Sequence, residues 1–141
     1  MNQLIKHWKI LTALLIISIA SFLYFVQRSE GIEIKTSQEI PESITITRHY
    51  SDSEVVLYEN SLVTNDKQEL VASNGGESRI SLTFGNQTKD IIGYLDTSVG
   101  DYYLRITVVS FDEDSGEAVL KVDFHDGLSR TVEQVIFDSF K

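Results

Sequence analysis

The chain has no cysteine and a single proline, Pro41, among its 141 residues. Without thiols there is no disulfide, no thiolate nucleophile and no cysteine to carry a lipid, so a domain placed outside the cell has to hold itself by its core alone. A cysteine-free exported domain fits a bacterial envelope. Basic residues are scarce as well: 12 Lys and Arg stand against 21 Asp and Glu, a net charge of -9. That balance argues against nucleic acid as a partner and against charge-driven binding to an anionic bilayer. Histidine occurs three times, as His7, His49 and His125, too far apart for the paired spacing of a zinc site. No serine sits in a G-x-S-x-G setting, and the glycines of "SNGGES" at 73–78 lack the lysine and helix that a phosphate loop requires.

One long hydrophobic run is present. Residues 10–26, "ILTALLIISIASFLYFV", contain no charge, and the polar members are only Thr12, Ser18 and Ser21. As a helix this run would extend roughly 25 Å, the short end of the spanning range. Trp8 and Tyr24 bracket it at the level of the headgroups, and Lys6 and Lys9 precede it without an acid, which predicts a cytoplasmic tail over 1–9 and an outer location for the rest. Everything beyond Val26 carries all 21 acids and 10 of the 12 Lys and Arg, a net charge of -11. The same pattern also describes a signal peptide, with Ser18 and Ala20 as the small residues before a cut after Ala20. The apolar run continues past Ala20 through "SFLYFV", which favours an anchor over 10–26 that stays in place.

Residues 27–43 are polar apart from "IEI" and include Pro41, so they read as a tether, with the folded domain expected over 44–141. Within that domain "ITITRHY" at 44–50, "SRISLTF" at 78–84 and "YYLRITVVSF" at 102–111 alternate with period two, and "EVVLYENSLVT" at 54–64 is rich in β-branched and aromatic residues. Turn-forming clusters punctuate them at 64–68, 73–78, 84–90, 98–101 and 125–127. The expected fold is all-β, a small antiparallel β-sandwich or partly open barrel, preceded by one N-terminal transmembrane helix. The end of the chain reads two ways. Val132, Val135, Ile136 and Phe140 fall at helical spacing, with Thr131 and Gln134 as a capping box; the turn "HDG" upstream and the β-branched residues favour a strand.

"SFDEDSGEAVLKVDF" at 110–124 has the look of either a calcium loop or a hairpin. Counted from Asp112, a calcium loop would have Asp114 at its third position, but Gly116 falls one place early and a ligand is missing. The hairpin reading uses Gly116 as the left-handed residue of a three-residue loop, Asp114 to Gly116. It sets Ile106 opposite Phe124 and Val108 opposite Val122 in the core, Phe111 opposite Val119 on the other face, and Lys121 and Asp123 outside the core. A four-residue loop would oppose Val108 to Lys121 and Ile106 to Asp123, setting charges among core residues.

Other candidates have plainer explanations. His125 beside Asp126 resembles a catalytic pair, yet the turn it occupies explains it. "NQT" at 86–88 fits a glycosylation acceptor in a loop. Tyr94, Tyr102, Tyr103 and Phe111 form either an aromatic binding face or, for at least half of them, core. The sequence therefore names no catalytic, cofactor-binding or metal-ligating residue and points to no cofactor. It describes a single-pass membrane protein with an acidic outer domain, working as a non-catalytic binding, adaptor or assembly component of the envelope whose partner is another envelope protein. A secreted module for carbohydrate or another small ligand is the alternative.

Overall fold

The computed structural model describes residue 8 and residues 11–21, 31–69, 76–96, 102–126 and 129–138. Trp8 and residues 11–21 are helical and exposed throughout. Among the described residues no helix is long and apolar enough to cross a membrane; residues 10 and 22–26 of the apolar run lie outside them.

The rest is β-structure. In chain order the strands are β1 Gly31–Lys35, β2 Ile44–His49, β3 Glu54–Asn60, β4 Asp66–Gln68, β5 Glu77–Phe84, β6 Gln87–Asp96, β7 Tyr102–Asp112, β8 Glu117–Asp126 and β9 Ser129–Phe137. They form a five-stranded sheet in the order β4-β1-β7-β8-β9 and a four-stranded sheet in the order β3-β2-β5-β6. The two make a β-sandwich. Alternation decides which side chains enter it: Leu104, Ile106, Leu120, Val122 and Phe124 from one sheet, and Ile44, Ile46, Ile80, Leu82 and Phe84 from the other, are buried in one cluster. Phe84 bridges the layers, with ring centroids 6.3 Å from Phe111 and 5.6 Å from Phe137. Ser129–Phe137 is a strand, β9, which pairs with β8 from Ala118↔Phe137 to Asp126↔Ser129; Phe140 of the helical reading lies outside the described residues.

Three expectations are corrected. The segment 27–43 is not a tether over its described part. Gly31–Lys35 forms β1, lodged between β4 and β7, with Ile32 and Ile34 fully buried, and Ile40 is buried beside Val63 through a two-residue bridge. The sandwich thus begins at Gly31, because alternate isoleucines across "GIEIK" supply a buried face that a free linker would leave in water. The fold is also not purely antiparallel, since β1 runs parallel to β7 from Gly31↔Tyr103 to Lys35↔Thr107. Finally, part of four turn clusters is strand: Asp66–Gln68 is β4, Glu77 and Ser78 open β5, His125 and Asp126 close β8, and β6 begins at Gln87 after a tight turn at Gly85, whose φ of 60° suits glycine.

The β7–β8 hairpin departs from both registers considered. Asp112 faces Glu117, so the loop has four residues, Glu113 to Gly116; Ser110 then faces Val119, and the ladder shifts so that Val108 faces Leu120 and Ile106 faces Val122. Val109 is the residue passed over, and it stands exposed. The bulge resolves the conflict that excluded a four-residue loop. It returns Lys121 to a place opposite Thr107 and Asp123 to one opposite Arg105, and it turns Phe111 inward opposite Ala118. Ile106, Val108, Val122 and Phe124 are buried and Lys121 is exposed, as expected. Asp123, expected outside, is 5% exposed, under the side chains that cross it.

Candidate functional site

The outer face of the five-stranded sheet carries a polar array whose members come from four strands. Register brings them together: Glu33 lies opposite Arg105, Arg105 opposite Asp123 and Asp123 opposite Val132, one row across β1, β7, β8 and β9. The neighbouring row runs Gly31, Tyr103, His125 and Arg130. Arg105 Nε donates to Glu33 Oε2 at 2.6 Å, the Tyr103 hydroxyl donates to the same oxygen, and Arg105 Nη2 reaches the Tyr103 oxygen at 3.0 Å. Lys35 Nζ lies 3.5 Å from Glu33 Oε1. Arg130 grips Asp123 with both arms of its fork, Nε to Oδ1 at 2.9 Å and Nη2 to Oδ2 at 2.7 Å, and His125 Nε2 lies 3.2 Å from Oδ1.

This arrangement holds both carboxylates ionised. At Asp123 the hydrogen bonds from Arg130 depress the pKa below the ordinary carboxylate value, against the opposing effect of burial. At Glu33 burial pushes upward, but the Tyr103 hydroxyl and Arg105 together carry the net shift downward. Tyr103 is raised by burial and by Glu33, and Arg105 is raised by its bond to Glu33. A general acid near neutral pH needs a carboxyl shifted the opposite way. The chemistry of the array is mutual neutralisation across strands that are distant in the chain, which fixes β1, β7, β8 and β9 beside one another.

At the edge of this face lies β9. Ser129 through Gln134 are exposed, and Val132 and Ile136 stand 46% and 47% in the open. The carbonyls of Ile136 and Asp138 are taken by the side chains of Lys89 and Gln87, reaching over from β6. Because N–H and C=O of one residue point to the same side of a strand, those two contacts identify the even-numbered residues as the ones directed away from β8. Val132 and Gln134 therefore present main-chain groups along the outer edge. Beside β1 and β4 lies a shallow depression of about 440 Å³, lined by Glu33, Ile34, Lys35, Asn65, Asp66 and Lys67; its lining alternates in charge and includes no aromatic ring.

The residues singled out in the sequence are mostly dispersed. His125 serves Asp123 and not its neighbour Asp126, since adjacent strand residues point to opposite faces. His49 bonds Ser81 Oγ through Nε2 at 2.7 Å and lies 3.2 Å from Glu54 through Nδ1, on the other sheet; His7 lies outside the described residues. Asp112 closes the hairpin turn: Oδ1 accepts from the backbone of Asp114 at 2.9 Å, and its carbonyl accepts from Gly116, whose φ is 72°. Among the described residues no three His, Asp or Glu side chains converge as a metal site. The four aromatic candidates do not share a face: Tyr102 is buried against Phe124, Phe111 packs on Phe84, Tyr103 belongs to the polar array and Tyr94 is exposed on β6. Asn86 of "NQT" sits exposed in the β5–β6 turn, and the first part of "SNGGES", 73–75, lies outside the described residues.

Two features escaped sequence reading. The array was legible only as charges at alternate positions of β7 and β8, and its key carboxylate, Glu33, lay in the supposed tether. The other is Arg48, fully buried at one end of the core. Its guanidinium lies 4.8 Å from the Tyr50 ring and 5.6 Å from that of Tyr102, and its Nε donates to Ser78 Oγ at 2.9 Å. No family model, curated protein or solved structure matches the chain.

Proposed function

We propose that the chain is a single-pass membrane protein, amino terminus inside, which displays its acidic β-sandwich outside the cell membrane and acts there by contact, as a non-catalytic adaptor or assembly component of the envelope. The anchor is residues 10–26. Support for it comes from the helix over 11–21, where Leu11, Leu14, Leu15, Ile16, Ile17 and Ile19 are exposed on every side. A helix that is apolar all round needs a hydrocarbon or protein interior to cover it, and the core of the sandwich is already filled by its own side chains.

The observation that carries the contact reading is the open edge of β9. A strand added there gains main-chain hydrogen bonds from the even-numbered residues, with Val132 as its apolar contact. The test is a pair of proline variants in the full chain. Val132→Pro removes an N–H directed away from β8 and so blocks an added strand while costing the sheet little; Val135→Pro removes an N–H directed at β8 and destabilises the domain. Crosslinking in intact membranes should join β9 to another envelope protein in the parent chain and lose that product in the folded Val132→Pro variant. An unchanged product would sink the edge as the docking site.

A further inference from the structure

The link between anchor and sandwich is far shorter than the sequence suggests, and that shortness orients the domain. The apolar run ends at Val26 and β1 begins at Gly31, so only residues 27–30 intervene. Fully extended, the five steps from Val26 to Gly31 cover at most about 18 Å, and the headgroup layer takes up roughly 5–8 Å of that. Gly31 is itself locked into the fold: it is buried, and a Cβ there would meet the Gln68 carbonyl oxygen at 2.5 Å.

One end of the sandwich is defined by that entry point. The row Gly31, Tyr103, His125 and Arg130 places the start of β1 with the start of β7, the end of β8 and the start of β9. Arg48 over Tyr102 adds the end of β2, and hence the turn 50–53, to the same end. The opposite end carries the β7–β8 hairpin. Ten steps along β7 from Tyr102 to Asp112 amount to roughly 33 Å. Asp112, Glu113, Asp114 and Glu117 lie at that tip, against Asp52, Glu54, Glu77 and Asp126 at the near end, so charge does not choose between the ends and the short link does.

Resting on the anchor reading, we propose that the end formed by the start of β1, the turn 50–53 and the start of β9 lies against the bilayer surface, with the strands upright and the acidic hairpin pointing outward. Upright, the open edge of β9 runs along the membrane normal and faces sideways, so the chain that adds to it stands in the same membrane.

The absence of cysteine makes the placement measurable. Ser53→Cys, Ser129→Cys and Ser115→Cys are each introduced into the full chain, labelled with a fluorophore and reconstituted in phosphatidylethanolamine–phosphatidylglycerol vesicles containing a headgroup spin-labelled lipid. Quenching at Ser53→Cys and Ser129→Cys should exceed that at Ser115→Cys at least threefold. A flexible insert of twenty Gly and Ser residues after Glu30 should bring the three to similar levels. Equal quenching in the parent, or near-end quenching that the insert leaves unchanged, would overturn the placement while the protein still resists alkaline carbonate extraction. Release by carbonate would instead overturn the anchor, and the placement with it.

Discussion

Removing one residue, Val109, should leave the sandwich folded. In the present hairpin the inward positions on β7 are Tyr102, Leu104, Ile106 and Val108, after which the bulge intervenes and Phe111 turns in. Without Val109 the pairs Val108↔Leu120 and Ser110↔Val119 become consecutive, Ser110 faces out, and Phe111 still faces in opposite Ala118. Every side chain keeps its face. The loss is a valine already 54% exposed, about 1 kcal/mol of partial burial at most. The gain is a continuous ladder, with hydrogen bonds of about 1 kcal/mol each, and one residue fewer to order, at about 1–2 kcal/mol. The net change in unfolding free energy should lie within about 1 kcal/mol of zero. Deleting Lys121 is the control, because β8 is paired on both sides and its pairing with β9 shows no bulge. There one half of the strand must exchange faces, exposing either Ala118 and Leu120 or Val122 and Phe124. At about 2–5 kcal/mol for each large side chain lost from the core, that exceeds what a domain of this size can spare. Urea unfolding of the fragment from Gln27 to the end, followed by circular dichroism, measures both; Trp8, the one tryptophan, is outside that fragment. If loss of Val109 unfolds the domain, or loss of Lys121 is tolerated equally, the bulge does not have the role assigned to it.

A fragment starting at Gln27 should fold, whereas one starting at Ile44 lacks β1, with its buried Ile32 and Ile34, and should show no cooperative transition. Arg130→Ala should cost about 1–2 kcal/mol in a urea titration, less than a fully buried pair would, because Arg130 is itself half exposed. Asp123→Asn in the Arg130→Ala background should recover part of that loss by removing the stranded charge, as a double-mutant cycle would show. Asp123 and Glu33 both have folded pKa values below the ordinary one, so their stabilisation is complete above the unfolded carboxylate range, about pH 4, and is lost as pH falls through the lower folded values. Urea midpoints measured downward from pH 7 should therefore drop below about pH 4, and Asp123→Asn should flatten that decline.

How far the fold is legible in the sequence depends on whether an element states its own burial. β2, β5 and β7 alternate through five or more residues, and that pattern alone places Ile44, Ile80 and Ile106 inside. β1 has only five residues, and its parallel partner β7 lies some seventy positions away, so no local turn announces the pairing. β4 is "DKQ", exposed at every position; it belongs to the sheet through main-chain bonds, which composition does not record. The first half of β6, "QTKD", reads as loop because its apolar residues come later. The hairpin register failed for a different reason. Loop length and a bulge are interchangeable ways of setting the same faces, so face-matching could select Val122 and Phe124 for the core but not distinguish the two. Asp123 escaped because a buried carboxylate is tolerable only beside Arg130 and His125, and that neighbourhood exists once β9 has folded back along β8.

The free edges of the two sheets differ in what guards them, and the differences bear on where a partner can add. β4 offers three residues, too few for a stable extension. β3 changes register against β2 between Ile46 and Thr47 and carries Glu54 and Glu59, and β6 changes register twice against β5; such irregularities twist an edge away from a flat template. β9 pairs with β8 over nine residues without a shift. Lys89 and Gln87 cover its far end at Ile136 and Asp138, leaving Val132 and Gln134 as the even positions presented along an unshifted ladder. The array behind that stretch bears on the same point. Arg130 is bound to Asp123, so its charge is already satisfied; what the edge offers an incoming chain is backbone and the apolar surface of Val132. Recognition of that kind selects for an extended segment and is tolerant of its sequence, which suits an assembly contact more than a ligand site.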